Sequence, residues 1–326
     1  MKILIVSCHK RLEDIESKIF KELGHEVTII GFGMNKNSES FNSLFWKINP
    51  NYKLPSIDPE SGFCYLPPEL IVDFDMVVIH HYPHILSANY QSLRYKKYVV
   101  IRSIGMPNPW LNGIYDRFLR TIPQAKLVRM SELERKGDAL ITQCCEPKEK
   151  WVGDLPKILT VRKMFKKRAH EQCFAEYSEI VKPFRPFMVT LAGSENEDIE
   201  YAINPTDNEL DQLHKSHMVY LYPTNRSSFV TFSLIEAMSH GCPIIAFSEK
   251  FSGVKPEILE ADKDCLIVDG VQQAQQAIQL LLNSPELRIK LSGNVLKKAI
   301  NMSFDKCKRE WESFISNYVE TNIFGK

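Results

Sequence analysis

The stretch "SSFVTFSLIEAMSHGCPII", residues 227–245, sets one carboxylate, Glu236, inside a run of apolar and small residues, and a serine, Ser228, eight positions before it. "SLIEAMSHG" reads as a helix and "CPIIAF" as a strand. A helix that begins near Ser233 leaves its first amides without internal partners, so its N-terminus attracts an anion such as a diphosphate. Glu236 falls about one turn inside, where a carboxylate can accept two hydrogen bonds from a vicinal diol such as a ribose. The competing reading is a glutamate on a solvated helix face, which flanking Leu234, Ile235, Ala237 and Met238 disfavour.

On both sides of this segment short apolar strands alternate with helices. "KILTV", "FMVTLAG", "MVYLYP" and "CLIVD" read as strands, "AHEQCFAEYSEIV" and "NELDQLHKS" as helices, and three helices close the chain. The first half opens with a βαβ unit, "KILIVS", "RLEDIESKIFKEL" and "EVTIIGF". After an irregular stretch from Met34 to about Glu69 it continues through the strands "DMVVIHH" and "KYVVIRSIG", the helix "GIYDRFLRTI", and the strands "AKLVRM" and "DALITQCC". The pattern predicts two α/β domains, each a parallel sheet covered on both faces. Two such domains facing each other would form a cleft at the carboxyl ends of their strands.

The composition is that of an ordinary soluble protein: 326 residues, 44% apolar, 25% charged, net charge +1. The average conceals a bias. Residues 91–170 carry 18 Lys and Arg against 7 Asp and Glu, an excess suited to a phosphate-bearing ligand and equally to a solvated face. Eight scattered cysteines show no CxxC pair and no Cys/His ligand spacing, which points to reduced core residues. "MKILIVSCHKR" is too soon charged for a signal peptide and no run reaches transmembrane length. The expectation is a cytoplasmic protein, with peripheral membrane contact still open.

Four segments in order resemble the nucleotide-sugar half of the family-four glycosyltransferases: "ILTVRKMFKKRAHE" (158–171), "DNELDQLHKSHMVYLYPT" (207–224), "SLIEAMSHGCPIIAF" (233–247) and "FSGVKPEILEADKDCLIVDG" (251–270), followed by "AIQLLLNSPELRIKLSGN". The resemblance covers about residues 155–310; the first half is similar mainly in its βαβ unit and "DFDMVVIHH". It implies the GT-B fold, two doubly wound Rossmann-like domains facing a central cleft. The expected boundaries are 1–153 for an acceptor-side domain, 154–305 for a nucleotide-sugar domain, and 306–326 for a helix that crosses back. The implied activity is transfer of a sugar from a UDP- or GDP-sugar to a hydroxyl acceptor with retained anomeric configuration. No cofactor beyond the donor substrate is expected, and no metal.

The site residues divide accordingly. Arg162 and Lys167 bracket a turn after a strand, where two cations can neutralise a departing nucleoside diphosphate. The resemblance makes them the diphosphate pair, although Lys163, Lys166 and Arg168 crowd the same turn and Arg168 stands where the family has glycine. By the same resemblance Glu236 receives the ribose, and Pro223, Arg226, Ser228, Phe229, Val230, Thr231 and Phe232 line the nucleotide sugar. "HHYPH" sits at the carboxyl end of a strand. His80 matches the family's histidine near the transferred sugar and His81 is its neighbour; a buried, hydrogen-bonded histidine is the equal alternative. Arg102 is an acceptor-side candidate.

The chain also departs from the family. Ser228 replaces the first acid of a Glu, seven residues, Glu pattern, so the donor sugar does not follow from the resemblance. "SCHKRLED" replaces the glycine-rich loop, and the loop after Gly193 is short. "DFD" at 73–75 precedes its strand, so Asp73 and Asp75 read as strand-edge residues. The acceptor stays open between a glycan or lipid-linked glycan and a DNA base. "SSFVTFSLIEAMS" is similar to phage DNA-base glucosyltransferases acting on hydroxymethylated bases, for which the basic run would be a track. A non-catalytic nucleotide-sugar-binding protein is the third reading.

Overall fold

The computed structural model describes residues 1–7, 10–31, 56–57, 64–80, 83–105, 109–144, 148–167, 173–223, 231–252 and 258–324. The chain divides into two compact units, Met1–Gln143 with Asp305–Lys326, and Cys144–Phe304.

In the first unit the described elements up to residue 143 are β1 (Lys2–Ser7), α1 (Lys10–Glu22), β2 (Glu26–Gly31), β3 (Ser56–Ile57), β4 (Cys64–Tyr65), α2 (Pro68–Val72), β5 (Met76–His80), α3 (Pro83–Leu93), β6 (Tyr98–Arg102), α4 (Pro109–Thr121), β7 (Lys126–Arg129) and β8 (Ala139–Leu140). The six-stranded sheet has the order β2-β1-β5-β6-β7-β8, and every pairing in it is parallel. β3 and β4 form a separate antiparallel pair. β1 and β5 are buried apolar runs, as strands covered on both faces must be. Alternation splits them: Leu4, Val6, Val77 and Ile79 join Ile85, Leu86 and Phe118 of α3 and α4 in one core. Ile3, Ile5 and Val78 face the other way.

The second unit contains β9 (Leu155–Val161), α5 (Phe174–Val181), β10 (Val189–Ala192), β11 (Ala202–Ile203), α6 (Asp207–Ser216), β12 (His217–Tyr222), α7 (Phe232–His240), β13 (Ile244–Phe247), α8 (Glu249–Ser252), β14 (Cys265–Val268), α9 (Val271–Asn283) and α10 (Pro285–Ile300). Its sheet, β11-β10-β9-β12-β13-β14, is likewise parallel. One face packs on α5 and α9 through Ile158, Leu191, Val219 and Tyr177. The other packs on α7 through Leu159, Tyr220, Tyr222 and Leu234. Thr206 caps α6 in a reciprocal capping box with Glu209. Gly241 ends α7 at φ +83°, a left-handed turn that glycine adopts without strain.

The last helix, α11 (Phe304–Phe324), joins the first unit from Asp305 onward. Trp311, fully buried, meets Phe20 of α1 edge-on at 4.9 Å. Tyr318 accepts from the Val99 amide and donates to the Gln124 carbonyl, fastening the helix to β6 and to the turn after α4. In both sheets the chain reverses direction beside its first strand, between β1 and β5 and between β9 and β12, and a doubly wound sheet binds its ligands at such a switch point.

Candidate functional site

The second switch point is built by the turn that leaves β9. Arg162 follows the strand directly, its amide donating to the Ala192 carbonyl at 2.9 Å. Its side chain is 6% exposed, lies 4.8 Å over the Tyr222 ring and donates to the Pro223 carbonyl. Its Nε is buried and has no hydrogen-bond partner among the described residues. The lysines of the turn behave differently. Lys166 pairs with Asp198 at 2.7 Å, whereas Lys163 and Lys167, both more than half exposed, approach opposite oxygens of Glu195 at 3.3 and 3.7 Å. Of the described cations in this turn, Arg162 is anchored inward, while Lys163, Lys166 and Lys167 are all more than half exposed.

Asn196, 2% exposed, holds this turn in place. Its side-chain amide donates to the carbonyls of Arg162 (2.7 Å) and Gly193 (3.0 Å), and its Oδ1 accepts from the Phe165 amide (2.8 Å). Gly193 permits the approach: at φ +139°, a Cβ there would stand 2.3 Å from the Arg162 carbonyl oxygen.

Tyr222 joins the cation to the start of α7. Its hydroxyl accepts from Thr231 Oγ1 at 3.2 Å, while Tyr220 donates to the Ser233 carbonyl at 3.1 Å. Thr231 is the N-cap, its side chain accepting from the Leu234 amide. Phe232 is the first helical residue, half-buried, and Glu236, also half-buried, lies one turn further. Burial raises the Tyr220 phenol well above its ordinary range, so it stays a neutral donor. Arg162, Pro223, Thr231, Phe232 and Glu236 are thus carried by elements of one sheet end. Arg226, Ser228, Phe229, Val230, Arg168 and His81 lie outside the described residues.

The first switch point is put to a different use. Ser7, His80 and Arg102 are the last residues of three adjacent strands and sit on one face, His80 directly opposite Arg102 in the β5–β6 register. Glu16 of α1 projects onto that face. His80 Nε2 meets Glu16 Oε2 at 2.8 Å and its Nδ1 meets Ser7 Oγ at 2.9 Å. Arg102 Nε donates to Glu16 Oε1 at 2.7 Å and its Nη1 to the Arg129 carbonyl. All four side chains are buried. Burial alone would raise the Glu16 carboxyl, but Arg102 and His80 outweigh it and the net shift is downward. Arg102, the acceptor-side candidate, is buried at the end of β6, its guanidinium paired with Glu16 and 5.7 Å from the centre of the Trp311 ring. His80 takes the buried, hydrogen-bonded alternative here, with both ring nitrogens engaged.

Asp75, the strand-edge residue, accepts the Lys2 amide at 2.7 Å. Among the described residues no group of three His, Cys, Asp or Glu is placed to hold a metal ion. Cys144, Cys173, Cys242, Cys265 and Cys307 are buried. No helix of the described residues is long and apolar enough to cross a membrane. In the basic run, Arg102, Lys126, Arg135, Lys148 and Lys166 are each paired with an acid.

No protein-family model matches the chain. An uncharacterized glycosyltransferase of Haemophilus influenzae is 23% identical over 173 residues, 48% of this chain and 48% of that protein. The match therefore spans about half the length of that curated relative. Among solved structures, sucrose-phosphate synthase from Thermosynechococcus elongatus superposes with a TM-score of 0.70 at 12% identity, covering 98% of this chain and 100% of that one. A glycosyltransferase from Rickettsia africae gives 0.69 at 14% identity, covering 98% of each. HepE of Anabaena, solved in complex with UDP, gives 0.71 at 10% identity, covering 97% of this chain and 100% of that one. Two parallel six-stranded sheets in this order, matched over nearly the whole chain, make this a two-domain α/β protein. The fold is similar to that of the GT-B glycosyltransferases.

Proposed function

We propose that the protein is a glycosyltransferase that moves a sugar from a UDP- or GDP-sugar to a hydroxyl acceptor. The observation that carries this reading is buried Arg162 at the second switch point, with an unpartnered Nε and a tie through Tyr222 and Thr231 to the start of α7. A donor diphosphate placed there meets Arg162, Lys167 and the first amides of the helix, while Glu236 receives the ribose diol. The cations stabilise the charge that gathers on the diphosphate as the sugar leaves. Retention follows if the departing phosphate oxygen takes the acceptor's proton on the same face, which needs no protein nucleophile. HepE has been solved with UDP and with UDP-glucose, and a pneumococcal O-GlcNAc transferase with UDP and GlcNAc, in line with a nucleotide-sugar donor. For the acceptor we favour a glycan or lipid-linked glycan, since Lys126, Arg135, Lys148 and Lys166 of the basic run are each paired with an acid.

The test is turnover of a panel of UDP- and GDP-sugars, read as nucleoside diphosphate released. One observation supports a second reading, a nucleotide-sugar-binding protein without turnover: His80 is sealed among Ser7, Glu16 and Arg102. UDP binding with no release from any donor, alone or with acceptors, would select that reading over the enzyme.

A further inference from the structure

Glu195 holds a conformation that its residue type does not favour. Its φ is +63°, in the left-handed region where glycine and asparagine are at home and a glutamate is strained. The backbone around it is fixed, because Asn196 clamps Arg162 and Gly193 next to it and the Met164 amide donates to Ser194. The result is a carboxylate, about a quarter exposed, standing between Lys163 and Lys167 at 3.3 and 3.7 Å. Both separations are longer than the 2.7–2.9 Å typical of charge-assisted hydrogen bonds, so the pairing is loose and open to a competing anion.

Resting on the donor-diphosphate reading of this turn, we propose that Glu195 is a built-in counter-anion that weakens the turn's hold on the product relative to the donor. In the transfer the bond from the sugar C1 to the diphosphate oxygen breaks and its electron pair stays on that oxygen. The acceptor hydroxyl oxygen bonds C1, and its proton passes to the departing phosphate and then to water. The intact donor carries two negative charges. The released nucleoside diphosphate carries about three near neutral pH, because its terminal phosphate ionises a second time with a pKa of about 6. A fixed carboxylate beside the site repels the more highly charged species more strongly, so Glu195 favours release after transfer.

The test is calorimetric titration of wild type and Glu195→Gln with UDP, GDP, UDP-glucose and inorganic pyrophosphate. The variant should bind UDP or GDP and pyrophosphate about 5-fold more tightly, the upper end for a screened charge pair, and UDP-glucose about 3-fold more tightly, in the ratio of their charges. High salt should shrink the difference. Glu195→Gly, which also removes the strain, should reproduce the gain, and Lys167→Met in the Glu195→Gln background should abolish it. Unchanged or weaker product binding, or an equal gain for donor and product, would overturn the proposal while leaving the donor reading intact. Wild type that binds neither UDP nor GDP would overturn both.

Discussion

The same topological position occurs twice in this chain and is used in opposite ways. At the first switch point, Ser7, Glu16, His80 and Arg102 turn toward one another and close into a buried ionic cluster. At the second, Arg162 is anchored but Lys163 and Lys167 stand half in solvent against a loosely held carboxylate. Sheet order selects where a site can form; the distribution of partners decides whether it becomes a site. One acid within hydrogen-bonding reach on the neighbouring helix closes the first, whereas at the second Glu195 stands 3.3 Å from Lys163 and 3.7 Å from Lys167.

That contrast is open to direct attack. The largest effect is expected from Glu16→Ala, which leaves Arg102 buried without its counter-ion. A loss of about 3–5 kcal/mol in chemical denaturation is expected, as for other broken buried pairs. A loss below about 1 kcal/mol would show that the cluster is not tight. Next, Glu236→Ala should weaken UDP or GDP binding by at least ~10-fold, a charge-assisted hydrogen bond being worth about 1.5–3 kcal/mol, with an unchanged melting temperature. Equal nucleotide affinity in that variant would remove Glu236 from the site. Asn196→Ala strands the Arg162 and Gly193 carbonyls and the Phe165 amide, and about 1–3 kcal/mol of stability should go with nucleotide affinity. Stability lost without affinity would separate the clamp from the site.

The smallest effect is a difference in acid response between the units. Burial holds the His217 imidazole down at about 4, against an ordinary 6.5. Between those values the unfolded chain takes up a proton that the folded chain refuses, so stability falls as pH falls through that window. Glu16 has the opposite origin. Its folded carboxyl is depressed below the ordinary 4.5, so its stabilisation is complete above that value and is lost as pH drops below it. Hydrogen exchange in the second unit should therefore rise at milder acidity than in the first, and His217→Asn should narrow the gap. A simultaneous onset would refute the assignment.

Much of the architecture was legible because a parallel strand covered on both faces leaves an apolar run that no surface element imitates. "KILIVS", "VVIH", "YVVIR" and "CLIV" mark β1, β5, β6 and β14. α3, "PHILSANYQSL", escaped because its buried Asn89 interrupts the apolar stripe. That asparagine accepts the Leu66 amide and donates to the Ile85 carbonyl, a partnership invisible in one dimension. "DALITQCC" promised a long strand and forms only the two-residue β8. Glu16 left a trace that could have been read. It shares a helical stripe with Leu12, Ile19 and Phe20, all buried, so a carboxylate stood at a core position awaiting a cation. Arg162 and Glu236 were visible through motif spacing. Asn196 and Tyr222 were not, because their roles depend on loops and strands that meet only in the folded unit.

The first unit is assembled from both ends of the chain, and this has a consequence for synthesis. Phe20, Val99 and Gln124 wait for Trp311 and Tyr318, which leave the ribosome after every residue of the second unit. The unit translated first is therefore the one completed last. A chain ending at Ser303 would carry nearly the whole second unit and a first unit whose apolar seam is uncovered, the species a chaperone would hold.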